Sequence, residues 1–221
     1  MNITRYLKKI STFLLGLVVA FIFSLLASYV LYLNSIDVNK QYLWAVISII
    51  AYIVFIITIV SIWNTKLKKQ KVSFNVVYHL GLLIIAIIFI LCVYWGIHEL
   101  YGLSSHHKTY TIEAMIYMFV FYVIFAPIVE ETICRGWFLS LFLKQSNDTA
   151  INTVYIVTSC LISSFISTML HGLTDITSIL PIFINGIIAA ILYIKSNTLI
   201  LPIAFHTVIN ILAWFSLIQI T

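Results

Sequence analysis

Charge is what this chain has least of. Charged residues make up 9% of its 221 residues and hydrophobic ones 62%, whereas a soluble globular domain is roughly 25% charged. A soluble enzyme is thereby excluded. Seven glycines and three prolines leave little scope for a phosphate-cradling loop. No G-x-S-x-G elbow occurs, so the serine-hydrolase device is missing. The segment His98–Gly102 begins like the H-E-x-x-H zinc motif but lacks the second histidine. The cysteines are three (Cys92, Cys134 and Cys160), all in apolar stretches without paired or metal-ligand spacing, and they read as small buried hydrophobes. No ten-residue alternation suggests a barrel, and no internal repeat suggests an inverted-repeat transporter.

Long apolar runs are abundant. A membrane-crossing helix needs about 20 such residues, and seven stretches qualify: 11–33, 43–63, 74–97, 113–143, 150–171, 177–194 and 199–218. The first is too long for a signal-peptide core and no small-x-small cleavage site follows it, so it reads as a retained span. Pro127 interrupts the fourth by removing a backbone donor. That stretch is either one bent helix or a span followed by a re-entrant helix. The expected fold is all-α, a polytopic membrane helical bundle of seven to eight transmembrane helices. Residues 1–112 form a three-span scaffold and residues 113–221 a chemistry-bearing core.

The net charge of +5 comes largely from Arg5, Lys8 and Lys9, then Lys66, Lys68, Lys69 and Lys71. Short basic clusters beside spans mark cytoplasmic flanks rather than nucleic-acid patches. The expectation is a multi-pass cell-membrane protein with a cytoplasmic N-terminus and the 34–42 and 98–112 loops outside. Its partners are the lipid bilayer and a peptide or small membrane protein, with no nucleic acid.

Against this background Glu130, Glu131 and Arg135 stand out, in APIVEETICRGWF. An ionised residue at mid-membrane costs about 2.5–3.5 kcal/mol on insertion scales, so such residues are rare and mark function. Glu131 and Arg135 are four apart and share a helix face. They suit an internal ion pair, because arginine stays charged and needs a partner. Glu130 points about 100° away and cannot share that role; a carboxylate at this depth suits a general base or acid. His171 ends the apolar run SCLISSFISTMLH. His206 and Asn210 share a face of the last stretch, where they could hold a developing oxyanion or serve as interhelical glue.

The order E-E-x-x-x-R, a histidine ending an apolar helix, then H-x-x-x-N resembles the CPBP family. Its members include type II CAAX-prenyl endopeptidases and bacteriocin self-immunity proteins. Glu130 to Arg135 with Gly136 fit the first motif, His171 the second, and His206 to Asn210 the third. Four residues before His171, where the second motif usually has phenylalanine, this chain has Ser167. The resemblance implies an intramembrane endopeptidase in which Glu130 and His171 activate water. It implies that His206 and Asn210 hold the oxyanion, and that Glu131 pairs with Arg135 and positions Glu130. The family is described both as metalloproteases and as metal-free glutamate enzymes. Zinc, if used, would be held by Glu130, His171 and His206. The alternative function is a non-catalytic immunity or regulatory partner on the same scaffold; an ion transporter is a third. A composition rich in isoleucine and asparagine suggests a bacterial source.

A ruler along the helices raises one difficulty. With 1.5 Å per residue, His171 lies about 33 Å along its span and His206 about 11 Å along a parallel one. They meet only if the fifth helix begins outside the bilayer and continues past His171, or is strongly tilted.

Overall fold

The computed structural model describes residues 7, 10–19, 21–22, 25, 41–63, 75–101, 112–142, 149–171 and 175–217. Among these, seven helices follow in order: α1 (Ile10–Val19), α2 (Gln41–Ile62), α3 (Val76–Tyr101), α4 (112–142), α5 (Thr149–Met169), α6 (Ile176–Ser196) and α7 (Ile200–Leu217). Five are long and apolar enough to cross a membrane, α2 to α6; α1 and α7 are shorter apolar helices. The chain is thus a multi-pass membrane protein. Most of the second half of the expected first span lies outside the described residues. So do Arg5, Lys8, Lys9, Asp37, Lys40, Lys66, Lys68, Lys69, Lys71, His106, His107 and Lys108.

The fourth apolar stretch is one continuous helix, not a span plus a re-entrant piece. It absorbs Pro127 by widening. Phe119–Phe125 is π-helical, Ala126–Glu131 returns to α geometry, and Thr132–Leu139 is π-helical again. Such wide turns occur mostly as local insertions at functional sites. Here they bracket the two glutamates.

Lipid tails are as apolar as leucine, so close packing and interhelical hydrogen bonds, rather than escape from water, hold membrane helices together. Two apolar clusters show this. In one, Tyr52, Phe55, Ile59 and Trp63 of α2 pack against Phe121, Ile133 and Trp137 of α4. The Trp137 Nε1–H donates to the Ile59 carbonyl at 3.2 Å. Gly136 makes this approach possible, since a Cβ there would meet Trp63 Cδ1 at 2.9 Å. The second cluster joins Ala86 and Ile90 of α3 to Ala189 and Leu192 of α6 and to Leu201, Phe205 and Ile209 of α7.

Small polar residues line the inner face of α5, where Ser159, Ser163, Ser164, Ser167 and Thr168 are buried. Ser163 Oγ donates to the Cys134 carbonyl of α4 at 2.6 Å. Ser164 and Thr168 return their hydroxyls to Cys160 and Ser164 carbonyls of their own helix. α6 starts at Asp175, whose carboxylate caps it by accepting from the Ser178 N–H at 2.9 Å. It ends at Asn197 in the left-handed region, φ 51°, a conformation asparagine tolerates. The turn that follows is inside the protein: Ser196 and Thr198 are 2% and 7% exposed.

Candidate active site

The site is assembled from α4, the end of α5, the middle of α6 and the second turn of α7. Arg135 and Glu131 are each 1% exposed, and Arg135 Nε lies 3.1 Å from Glu131 Oε2. The expected ion pair is present, one helical turn apart. The guanidinium does more than pair with Glu131. One terminal nitrogen donates to Ser167 Oγ at 3.2 Å and the other to the Gly186 carbonyl at 2.9 Å. Arg135 therefore ties α4 to α5 and α6. A fixed planar fork with five donors suits this, and lysine could not reproduce it. α6 approaches closely only because residue 186 is glycine. A Cβ there would meet Ser164 Cβ at 2.9 Å and the Arg135 guanidinium at 3.1 Å.

Glu131 uses its other oxygen for His206. His206 Nδ1 lies 2.8 Å from Glu131 Oε1, and the ring is buried. The carboxylate accepts, so Nδ1 carries the proton and Nε2 faces away from Glu131. His171 is arranged in parallel. Its Nδ1 lies 2.9 Å from the Ser167 carbonyl, an acceptor only, which again puts the proton on Nδ1. Its Nε2 lies 3.9 Å from Glu130 Oε2. That gap is too long for a direct hydrogen bond and suits a bridging water. Glu130 Oε2 is itself buried with no hydrogen-bond partner in the protein.

Glu130, His171 and His206 converge, each offering one ligand atom, all within 4.8 Å of one another. The depth conflict anticipated from the helix ruler does not arise. α5 does not continue past His171: it ends at Met169, and His171 sits in the turn beyond. The ruler set α5 and α7 starting at one level, whereas α7 begins from a turn enclosed by protein.

Asn210 is one turn from His206, and its Nδ2 donates to the Tyr122 carbonyl of α4 at 2.7 Å. The amide is held by the backbone of α4 rather than hanging free. Three partners escape the sequence reading: Ser167, Gly186 and the Tyr122 carbonyl. Ser167 had a signal, sitting four residues before His171 where the resembling motif departs. A backbone carbonyl acceptor leaves none.

A family model described as type II CAAX prenyl endopeptidase, Rce1-like, matches residues 112–212. The chain belongs to the Rce1-like (CPBP) family through this domain. The match starts with α4, ends inside α7 and includes every candidate residue above. No curated protein and no solved structure matches the chain. The family is one of membrane endopeptidases, and the Glu/His cluster is consistent with a catalytic site.

The donor types also suit zinc. Both imidazoles give their Nδ1 proton to an oxygen acceptor, which is how metal-ligating histidines are usually oriented. The spacing is generous for a metal: two zinc ligands at about 2.1 Å lie at most about 4.2 Å apart, while the donors here spread over as much as 4.8 Å. A water, with partners at about 2.8 Å, fits without movement.

Proposed function

We propose that this protein is an intramembrane endopeptidase that hydrolyses a peptide bond of a membrane-associated peptide or small protein. The supporting observation is the meeting of Glu130, His171 and His206 around a buried, unpartnered carboxylate oxygen. A water between Glu130 Oε2 and His171 Nε2 gives a proton to this pair as its oxygen attacks the scissile carbonyl. The positive charge beside the carbonyl oxygen comes from His206: braced on Glu131, its protonated form presents Nε2–H to the pocket. Asn210 supplies a second donor. The C–N bond then breaks and the proton held by Glu130 passes to the leaving amine, restoring the carboxylate. Zinc bound to Glu130, His171 and His206 would supply Lewis-acid polarisation of the same carbonyl. In the cell membrane we place the N-terminus on the cytoplasmic side, on the basic flanks alone, and read all seven helices as membrane-embedded.

The test is cleavage of a library of apolar, fluorescence-quenched peptides by the purified protein in lipid nanodiscs. Glu130→Gln is expected to lower turnover by at least about 100-fold while leaving the thermal midpoint unchanged, because Glu130 is outside the Arg135 network. Full cleavage by Glu130→Gln would defeat the proposal and favour a non-catalytic partner built on the same scaffold.

A further inference from the structure

The Asn210 side chain reaches from α7 to a backbone carbonyl of α4, and the sequence of α4 explains why that carbonyl is available. In a regular helix every interior carbonyl is taken by an N–H further along. Through Phe119–Phe125 the wide register applies: the Ala126 N–H goes to the Phe121 carbonyl, five residues back. In that register the donor for the Tyr122 carbonyl would be residue 127. Residue 127 is proline, buried in the first turn of the next segment, and proline has no N–H. The Tyr122 carbonyl is thereby left without its helical donor, deep in an apolar bundle where an unmet polar group is costly. The Asn210 amide fills the vacancy at 2.7 Å.

We propose that Pro127 is a positioning residue for Asn210: by withholding a backbone N–H it reserves the Tyr122 carbonyl for the Asn210 amide. One N–H of the amide is committed there, which fixes the plane of the group and the direction of the second N–H. The amide is then pre-aligned before substrate arrives, as a preorganised donor requires. Any effect on turnover rests on the endopeptidase reading; the bond and its dependence on Pro127 do not.

A double-mutant cycle on the full-length protein in nanodiscs separates these. Asn210→Leu strands the Tyr122 carbonyl and is expected to lower the apparent thermal midpoint by roughly 2–8 °C. In a Pro127→Ala background residue 127 gains an N–H that takes the carbonyl, so the same Asn210→Leu change costs less than half as much. Equal losses in the two backgrounds overturn the proposal. The Asn210 amide gives a second measurement that needs no proline variant. With 15N-asparagine labelling, its side-chain protons in the wild-type protein should exchange at least about tenfold more slowly than those of an exposed asparagine, because the bond must open first. Unprotected exchange overturns the proposal even if Pro127→Ala fails to fold. Where peptide cleavage is measurable, Pro127→Ala should lower kcat and leave KM nearly unchanged. If no peptide is cleaved, the endopeptidase reading fails while the cycle still reports on the bond.

Discussion

The helices α3 and α4 are both long and apolar, yet they are built inside out relative to each other. In α3 no Asp, Glu, Lys or Arg precedes Glu99, and only 17% of its spanning window is buried. Residues such as Ile85 and Ile88 are more than half exposed. The span Met115–Phe142 carries two glutamates and an arginine, and 44% of it is buried. In water the more apolar helix would be the inner one. In lipid the surroundings are as apolar as a leucine face, so the purely aliphatic helix needs no cover. The helix with ionised groups is the one that must be enclosed. Polarity, not hydrophobicity, marks the interior of this molecule.

The sharpest way to break this contrast is at Arg135. Arg135→Ala strips a partner from Glu131, Ser167 and Gly186 at once and leaves a buried carboxylate without its cation. Removing one partner of a buried pair costs about 3–5 kcal/mol, so the variant should fail to accumulate as monodisperse protein. A wild-type melting profile would show that the enclosed charge is not what organises α4.

Gly186→Ala is the next test. The added methyl meets Ser164 and the guanidinium, and overpacking of this kind costs about 1–3 kcal/mol, readable as a lowered thermal midpoint. On the opposite wall, Ile85→Ala should change stability by no more than about 0.5 kcal/mol, because the side chain is 66% exposed. A loss there equal to that of Gly186→Ala would reveal a protein partner on the outer face of α3.

The smallest effect lies outside the membrane, at Asp175. Hydrogen bonds from the Thr177 hydroxyl and from Ser178 hold its carboxyl below the usual carboxylate range. A depressed folded pKa contributes stability above the unfolded value, about 3.9, and that contribution is lost as pH falls through the lower folded value. Asp175→Asn keeps a capping oxygen but cannot titrate. Its melting curve should therefore lack the small acid-side decline of the wild type, and parallel declines would show that the cap does not titrate with folding.

Much of this was legible in the residues themselves. Six apolar runs matched helices closely, because length and hydropathy alone decide what can cross a bilayer. The Glu131–Arg135 pair followed from four-residue spacing, and the separate fate of Glu130 from its angular offset. Its convergence with His171 and His206 was not readable from a ruler, because the level at which α7 starts depends on the buried turn around Asn197. Pro127 signalled a missing donor, but only the coordinates show the bond that replaces it. The third function of Arg135, gripping the Gly186 carbonyl, depends on a backbone acceptor and on the absence of a side chain, neither of which stands out in a string of letters.

The six-residue α segment Ala126–Glu131 has a loosened turn above and below it. Each loosened turn holds a surplus residue that can be handed along the chain with little change in length. The carboxylate-bearing turn can therefore swivel about its own axis while both ends of the span stay anchored. Admission of a peptide to the pocket then becomes a matter of rotating part of one rod, with no parting of the bundle.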